Sequence, residues 1–203
     1  MLVKGDITVI GGGIAGMCAA VGAARSGAHV LLVHDRPVLG GNASSEIGVS
    51  INGAATNDQS PTIFAREAGL VNEIQSMIRN IVKSPDGKSE ALLDMVYFDF
   101  IYKEKNIELF LNTHAESVKT DNGKIISVHA LQLASECEFD FESEIFIDCS
   151  GDGKISSLAG AEFMFGRESR DEYGEDIAPE KADSYLQGST LMWQSTDCGH
   201  PVE

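Results

Sequence analysis

The sequence predicts an α/β fold with a parallel sheet at its centre, and three observations carry that prediction. Two short, continuously apolar runs, Ile7–Ile10 and Val30–Val33, bracket a glycine turn and a stretch of small residues. A third such run, residues 145–149, closes on a second glycine turn. Between the second and third runs lies a segment with hairpin patterning around Asp121-Asn122-Gly123. Continuous apolar runs of this length suit strands buried on both faces of a parallel sheet, whereas alternating runs suit antiparallel strands with one wet face.

Taken in order, Ile7–Ile10 is a strand and Gly11, Gly12 and Gly13 form the turn after it. Residues 14–26 are rich in alanine and read as a helix, with Gly27 where a C-cap glycine is expected. Val30–Val33 completes a βαβ unit, a parallel strand pair joined by a helix. Residues 37–53 are rich in Gly, Ser and Asn without periodicity and read as a long functional loop. Residues 62–83 carry apolar residues at helical spacing, including Leu70, Ile74, Met77 and Ile81, with Gly69 breaking or bending the helix. A turn at 84–88 leads to a second amphipathic helix at 90–104, then a strand at 107–111. Strands at 117–120 and 124–133 flank the Asn-Gly turn, and 137–141 adds a third. From Phe165 the texture changes to a dense mix of charges, including Arg167, Glu168, Arg170 and Asp171. The expected division is therefore a nucleotide-binding domain over 1–165, and the start of a substrate domain or a tail over 166–203.

Composition narrows the partners. The 203 residues are 43% hydrophobic and 23% charged, ordinary globular values, with a formal charge of −16. So acidic a surface repels phosphate backbones and anionic lipid, so neither nucleic acid nor a membrane is expected as a partner. A small-molecule substrate is expected, and self-association into a homo-oligomer stays open. Cys18, Cys137, Cys149 and Cys198 are scattered, without a Cys-x-x-Cys pair, so no metal site is expected and the thiols read as buried residues of a reducing compartment. No basic, apolar leader opens the sequence, and the expected location is cytoplasmic. On that reading the sequon Asn42-Ala43-Ser44 is accidental.

The first turn carries the most chemistry. Gly11-Gly12-Gly13-Ile14-Ala15-Gly16 is G-x-G-x-x-G between a strand and a helix, the pattern of a dinucleotide site. Gly11 permits the tight turn, Gly13 lets backbone approach a pyrophosphate, and Gly16, with Ala20 one turn on, lets helix and strand pack closely. The N–H groups of Ile14 and Ala15 and the positive end of the helix dipole favour the phosphates. An acid is expected at the end of the second strand to hold the adenosine ribose. The strict position is His34, with Asp35 beside it and Arg36 next. Three readings stay open there: Asp35 substitutes for the acid, Arg36 accommodates the 2′-phosphate of NADP, or all three are solvated loop residues.

Residues 33–46, VHDRPVLGGNASSE, resemble a segment found in bacterial FAD-dependent oxidoreductases with the glutathione-reductase-like fold. A similar loop occurs in fumarate-reductase-like flavoproteins. The resemblance implies a Rossmann-like FAD-binding domain with a parallel sheet and an antiparallel β-meander crossover, and FAD as cofactor. It implies that Gly41, Asn42, Ala43 and Ser44 contact FAD. Residues 147–153, IDCSGDG, resemble the family's A-T-G-D-G-D segment, with Ser150 for Thr and Lys154 in place of the usual acid. By resemblance Gly151, Asp152 and Gly153 hold the pyrophosphate and ribitol, and backbone near Ala115 contacts adenine. An Ω-loop and an Asx turn are the structural alternatives for these two segments. The implied activity is hydride transfer between an organic substrate and flavin N5, and no catalytic residue is identified. The alternatives are an FAD-binding module without turnover and a flavoprotein of the tRNA-uridine-modifying type. The short stretch after Gly153 also leads us to expect an N-terminal piece of a longer enzyme, with residues 166–203 packing poorly and Leu191, Met192 and Trp193 exposed.

Overall fold

The computed structural model describes residues 1–51, 67–81, 90–133, 135–189 and 197–199. The chain divides into two compact units, Met1–Ala161 and Glu162–Glu203. The first holds β1 (Leu2–Lys4), β2 (Ile7–Ile10), α1 (Ile14–Arg25), β3 (Val30–Val33), α2 (Gly69–Ile81), α3 (Glu90–Tyr102) and β4 (Ile107–Phe110). It continues with β5 (Thr113–Asp121), β6 (Lys124–Gln132), β7 (Cys137–Glu142), β8 (Ile145–Asp148) and α4 (Lys154–Leu158).

Two four-stranded sheets result, ordered β4-β3-β2-β8 and β1-β7-β6-β5. The first is parallel throughout, with Ile7 opposite both Val30 and Ile145. This is the expected fold class, and the alternation of strand side chains explains its apolar runs. Val9 and Leu32 face one way, into a core with Met17, Ala20, Val21, Tyr97 and Phe100 from α1 and α3. Ile10, Leu31 and Val33 face the other way, onto Phe110, Val128, Phe139 and Phe141 beneath the second sheet. Both faces are therefore dry, and each fully buried large side chain contributes roughly 2 kcal/mol. Phe110 meets Phe139 and Phe141 edge-on, with centroids 5.4 and 4.9 Å apart.

The second sheet is the β-meander crossover between β4 and β8. Asn122 and Gly123 take positive φ of 49° and 76° at its hairpin, as a type I′ turn requires. β5 is longer than the expected 117–120, because register shifts between Ala115 and Ser117 and between Lys119 and Thr120 interrupt its alternation. β1, which the sequence does not announce, pairs in parallel with β7. Its three residues offer only Val3 to the core.

The helices depart from expectation in two places. α2 begins at Gly69, which has φ +66°, and the part of the expected helix at 62–66 lies outside the described residues. α3 is not amphipathic: Val96, Tyr97, Phe100 and Ile101 are buried while Met95, Phe98 and Tyr102 are exposed. Arg25 closes the helical layer, its guanidinium hydrogen-bonded to both Glu73 oxygens at 2.8 Å and to Glu104 at 2.7 Å. Cys18, Cys137 and Cys149 are half-buried and Cys198 is exposed, rather than uniformly buried.

In the unit Glu162–Glu203, α5 (Arg170–Tyr173) follows a bridge in which Arg167 and Asp183 exchange backbone hydrogen bonds of 2.9 and 3.0 Å. Their side chains pair as well, and the Arg167 guanidinium lies 5.3 Å from the Tyr185 ring centroid. Ile177, Tyr185 and Leu186 are exposed, while Leu191, Met192, Trp193 and His200 lie outside the described residues. Among the described residues, no helix is long and apolar enough to cross a membrane, and no three His, Cys, Asp or Glu residues are placed to hold a metal ion.

Candidate functional site

The carboxyl ends of β2, β3 and β8 lie side by side, and the ligand site of an open α/β sheet forms in the crevice beyond such ends. Hydrogen bonds from Gly11 N to Val33 O (2.8 Å) and from Cys149 N to Ile10 O (2.7 Å) hold the three ends together. Gly11 has φ +108°, and a Cβ there would lie 2.0 Å from Cys149 O. A Cβ on Gly16 would lie 1.7 Å from Gly11 O, and one on Gly12 would run into Leu39 and His34 at 2.6 and 2.7 Å. These three glycines are required by the protein's own packing.

Gly13 is different. Its φ of −67° suits any residue, and the nearest atom to an added Cβ is Gly41 Cα at 3.9 Å. No intramolecular contact calls for glycine here, yet a side chain would fill the space that Gly13 and Gly41 share. That space is lined by backbone at the start of α1, whose N-terminus no side chain caps. First-turn N–H groups have no partner inside a helix, and with the dipole they favour an anion. Ile14 is half-buried and Ala15 exposed on this first turn. A pyrophosphate fits such a cradle, so the residues present suit a dinucleotide.

The loop after β3 supplies the opposite wall. Gly40 N donates to Gly12 O at 2.9 Å, and Gly41–Ala43 form a single 3-10 turn. Ser44 is fully buried, and its hydroxyl donates to Gly41 O at 2.7 Å, so its side chain shapes the turn rather than facing outward. Ala43 is buried and Asn42 exposed. Asp94 of α3 anchors the loop by accepting from Ser45 N at 2.9 Å and from the Ser45 hydroxyl. The Tyr97 ring lies directly beneath Gly40.

At the end of β3, His34 is buried, not solvated. Gly12 N donates to its Nδ1 at 2.9 Å, and its Nε2 lies 3.0 Å from Val38 O, so Nε2 carries the proton and the ring is neutral. Burial pushes its pKa below the ordinary histidine value, against the pull of Asp35 and Glu46. Asp35 is half-exposed beside it. Arg36 is exposed, with its fork taken by Glu46 at 2.9 and 2.7 Å, and it holds the Glu46 carboxyl below its usual range. Ala115 is buried at the base of the meander.

The turn after β8 is built differently. Gly151 and Gly153 have φ of +94° and +66°, and added Cβ atoms would meet nothing within 4 Å. Gly151 and Asp152 are exposed. Sequence reasoning missed the residue that shapes this turn, Asp148, which accepts from Ser150 N (3.0 Å), Ser150 Oγ (2.6 Å), Ser156 N (2.7 Å) and Ser156 Oγ (2.8 Å). Burial opposes ionisation, but those four hydrogen bonds outweigh it and hold the carboxyl below its usual range. The signal was present as Asp148, Ser150 and Ser156 around a strand end.

A parallel α/β sheet with a backbone-lined cradle at its switch point defines a dinucleotide-binding protein. The family described as FAD dependent oxidoreductase matches residues 6–201, and the chain belongs to that family, with FAD as its cofactor. A fumarate reductase (cytochrome) of Shewanella frigidimarina is 46% identical over 54 residues, 27% of this chain and 9% of that protein. Among solved structures, the myxobacterial chondrochloren halogenase CndH, an FAD-dependent halogenase, superposes with a TM-score of 0.53 at 16% identity. It covers 81% of this chain and 41% of its own. The FrdA subunit of the quinol fumarate reductase of E. coli superposes with a TM-score of 0.52 at 13% identity, over 74% of this chain and 33% of its own. The chain thus spans about a tenth of the curated relative's length and less than half of each structure.

Proposed function

We propose that this protein is a flavoenzyme that moves a hydride between a small organic substrate and flavin N5, within the subgroup that the segment at 33–46 resembles. The observation that carries this reading is Gly13, a glycine that neither its own φ nor any neighbouring atom demands. A ligand whose phosphates approach the backbone supplies the reason that packing does not. Gly13, the first turn of α1 and Gly41 then hold the pyrophosphate. The exposed amide of Asn42 and the exposed Asp152 carboxylate serve the ribitol and flavin side. Bound FAD supplies the electron-accepting chemistry. The chain's own part is to fix the dinucleotide at the carboxyl edge of the parallel sheet. Arg36, its fork engaged with Glu46, is not offered to a 2′-phosphate, in keeping with FAD rather than NADP.

The test is anaerobic titration of the purified, FAD-loaded protein with candidate hydride donors while the flavin absorbance is followed. Substrate-dependent bleaching supports the reading. Flavin that binds but is reduced by no organic donor, only by dithionite, overturns the enzymatic part and leaves an FAD-binding module.

A further inference from the structure

β4 is an outer strand of the parallel sheet, and its far edge is open. It runs in parallel register with β3, Leu32 beside Leu109. Val30 N donates to Asn106 O and His34 N to Phe110 O, each at 2.8 Å, so those carbonyls turn toward β3. Planar trans peptides and the alternation of the ladder then turn Ile107 C=O, both backbone groups of Leu109 and Leu111 N–H the other way. The outward groups on either side are closed within the chain. Ile107 N donates to Glu104 O at 3.1 Å, and Leu111 O accepts from the Gln132 amide at 3.1 Å and from the Thr113 hydroxyl at 2.9 Å. Among the described residues nothing closes the rest.

Along the strand the open groups run acceptor at Ile107, donor and acceptor at Leu109, donor at Leu111. Turned end for end about Leu109, that order is its own complement. The Leu109 residues of two copies can exchange both bonds, and Leu111 N–H of each can reach Ile107 O of the other. Glu108 then lies across from Phe110 of the second copy, so like charges do not meet directly.

The side chains extend the match. Ile107, Leu109 and Leu111 are half-buried against the core that α1 and α3 cover. With Phe98, Ile101 and Tyr102 of α3 they line a groove of about 620 Å³ beside the open edge. Phe98 and Tyr102 stack there with centroids 5.5 Å apart, and Tyr102 is 75% exposed. Met95, also exposed, continues the stripe one turn earlier. Outer strands are ordinarily guarded by a charge, a proline or a bulge. Between 107 and 111 there is no proline or bulge, and the charge of Glu108 alternates onto the other face.

We propose that two copies of this chain associate through β4, antiparallel about Leu109, joining their parallel sheets into one and setting α3 of each copy against α3 of the other. A second α3 seated on Met95, Phe98 and Tyr102 accounts for apolar residues on the outer side of that helix. The charge of −16 on each copy opposes the approach at long range, so added salt strengthens the contact.

The experiment is sedimentation velocity of the purified 203-residue chain over a range of concentrations. The expected species has twice the 21.7 kDa mass of one chain, in larger fraction at higher salt. Tyr102→Glu, at an exposed position, should raise the dissociation constant about tenfold or more. Leu109→Pro removes an N–H that faces away from β3, a place where an outer strand tolerates proline, and should weaken the dimer as much. Leu2→Glu, exposed on the other sheet, should change nothing. Leu109→Cys should give an interchain disulfide that wild-type chains do not form, since hydrogen-bonded antiparallel partners have Cα atoms about 5.5 Å apart. A wild-type chain that stays monomeric at every concentration overturns the proposal and leaves this edge to a strand of a different protein. A dimer that survives both Tyr102→Glu and Leu109→Pro overturns it too, by placing the contact elsewhere. Where circular dichroism shows that Leu109→Pro does not fold, Tyr102→Glu and the Leu109→Cys cross-link decide.

Discussion

The two glycine turns at the carboxyl edge of the parallel sheet look alike in sequence and are opposites in physics. In the first, added Cβ atoms at Gly11, Gly12 and Gly16 would meet other protein atoms at 1.7 to 2.7 Å. In the second, Gly151 and Gly153 are surrounded by open space and are glycines for their positive φ. The first turn is glycine-rich because three segments of backbone converge there. The second is glycine-rich because the chain must reverse in the open, and Asp148 steadies it with four accepted hydrogen bonds. Glycine density alone does not distinguish a packed junction from an exposed hinge; the neighbours of the missing Cβ do.

The contrast can be broken most severely at Gly16. Gly16→Ala puts a methyl 1.7 Å from Gly11 O, backbone against backbone, with no flexible side chain to yield. The expected loss exceeds about 3 kcal/mol, and urea unfolding together with flavin retention should both show it. Wild-type stability in that variant would mean that α1 slides freely on β2. Gly13→Val tests the opposite property within the same turn. Its unfolding midpoint should stay near wild type while FAD binding is lost, and a folded variant that retains FAD would remove Gly13 from the site. In the second turn, Gly151→Ala should lower stability by only about 1–2 kcal/mol through left-handed backbone strain, without a steric component.

Acid sharpens the comparison most gently. The His34 clamp on Gly12 needs a neutral ring, and burial lowers the folded pKa below the unfolded one. Its contribution is therefore complete above the ordinary histidine value of about 6.5 and declines as pH falls below it. Asp148 also has a lowered folded pKa, so its contribution is complete above the ordinary carboxylate value of about 3.9 and is lost only as pH falls through that range. Denaturant midpoints measured across pH should fall in two separate steps. His34→Gln should erase the upper step and spare the lower.

Much of this was written in local pattern. The two inner parallel strands, β2 and β3, were legible because both of their faces are dry, which leaves no charged residue to break the runs, and the edge strand β8 was legible as a third short apolar run. The hairpin was legible through Asn122 and Gly123, whose positive φ values few other pairs tolerate. β1 was not, since three residues with one half-buried side chain carry no period. The start of β5 was hidden by its bulges. Glycine spacing marked the turn between β2 and α1, but spacing cannot say which way a side chain turns. His34 reads as a ligand position and is instead a strut under Gly12. Asp94 and Asp148 shape the two loops from α3 and from the strand end, and Asp94 acts from about fifty residues beyond its partner Ser45, where no local pattern reaches.

β2 sits between β3 and β8, so Ile7 has one neighbour at Val30 and the other at Ile145. β1, immediately before it, waits in the same way for β7. During synthesis the earliest strands leave the ribosome with one edge open until the whole meander has followed. At roughly 5–20 residues per second, that interval lasts on the order of ten seconds. Over that time an apolar strand with a bare edge is the form most prone to pair with a neighbouring chain. The order of strands that builds a cofactor crevice at the middle of the sheet thus also sets a window of vulnerability during biogenesis, which closes when β8 pairs with β2.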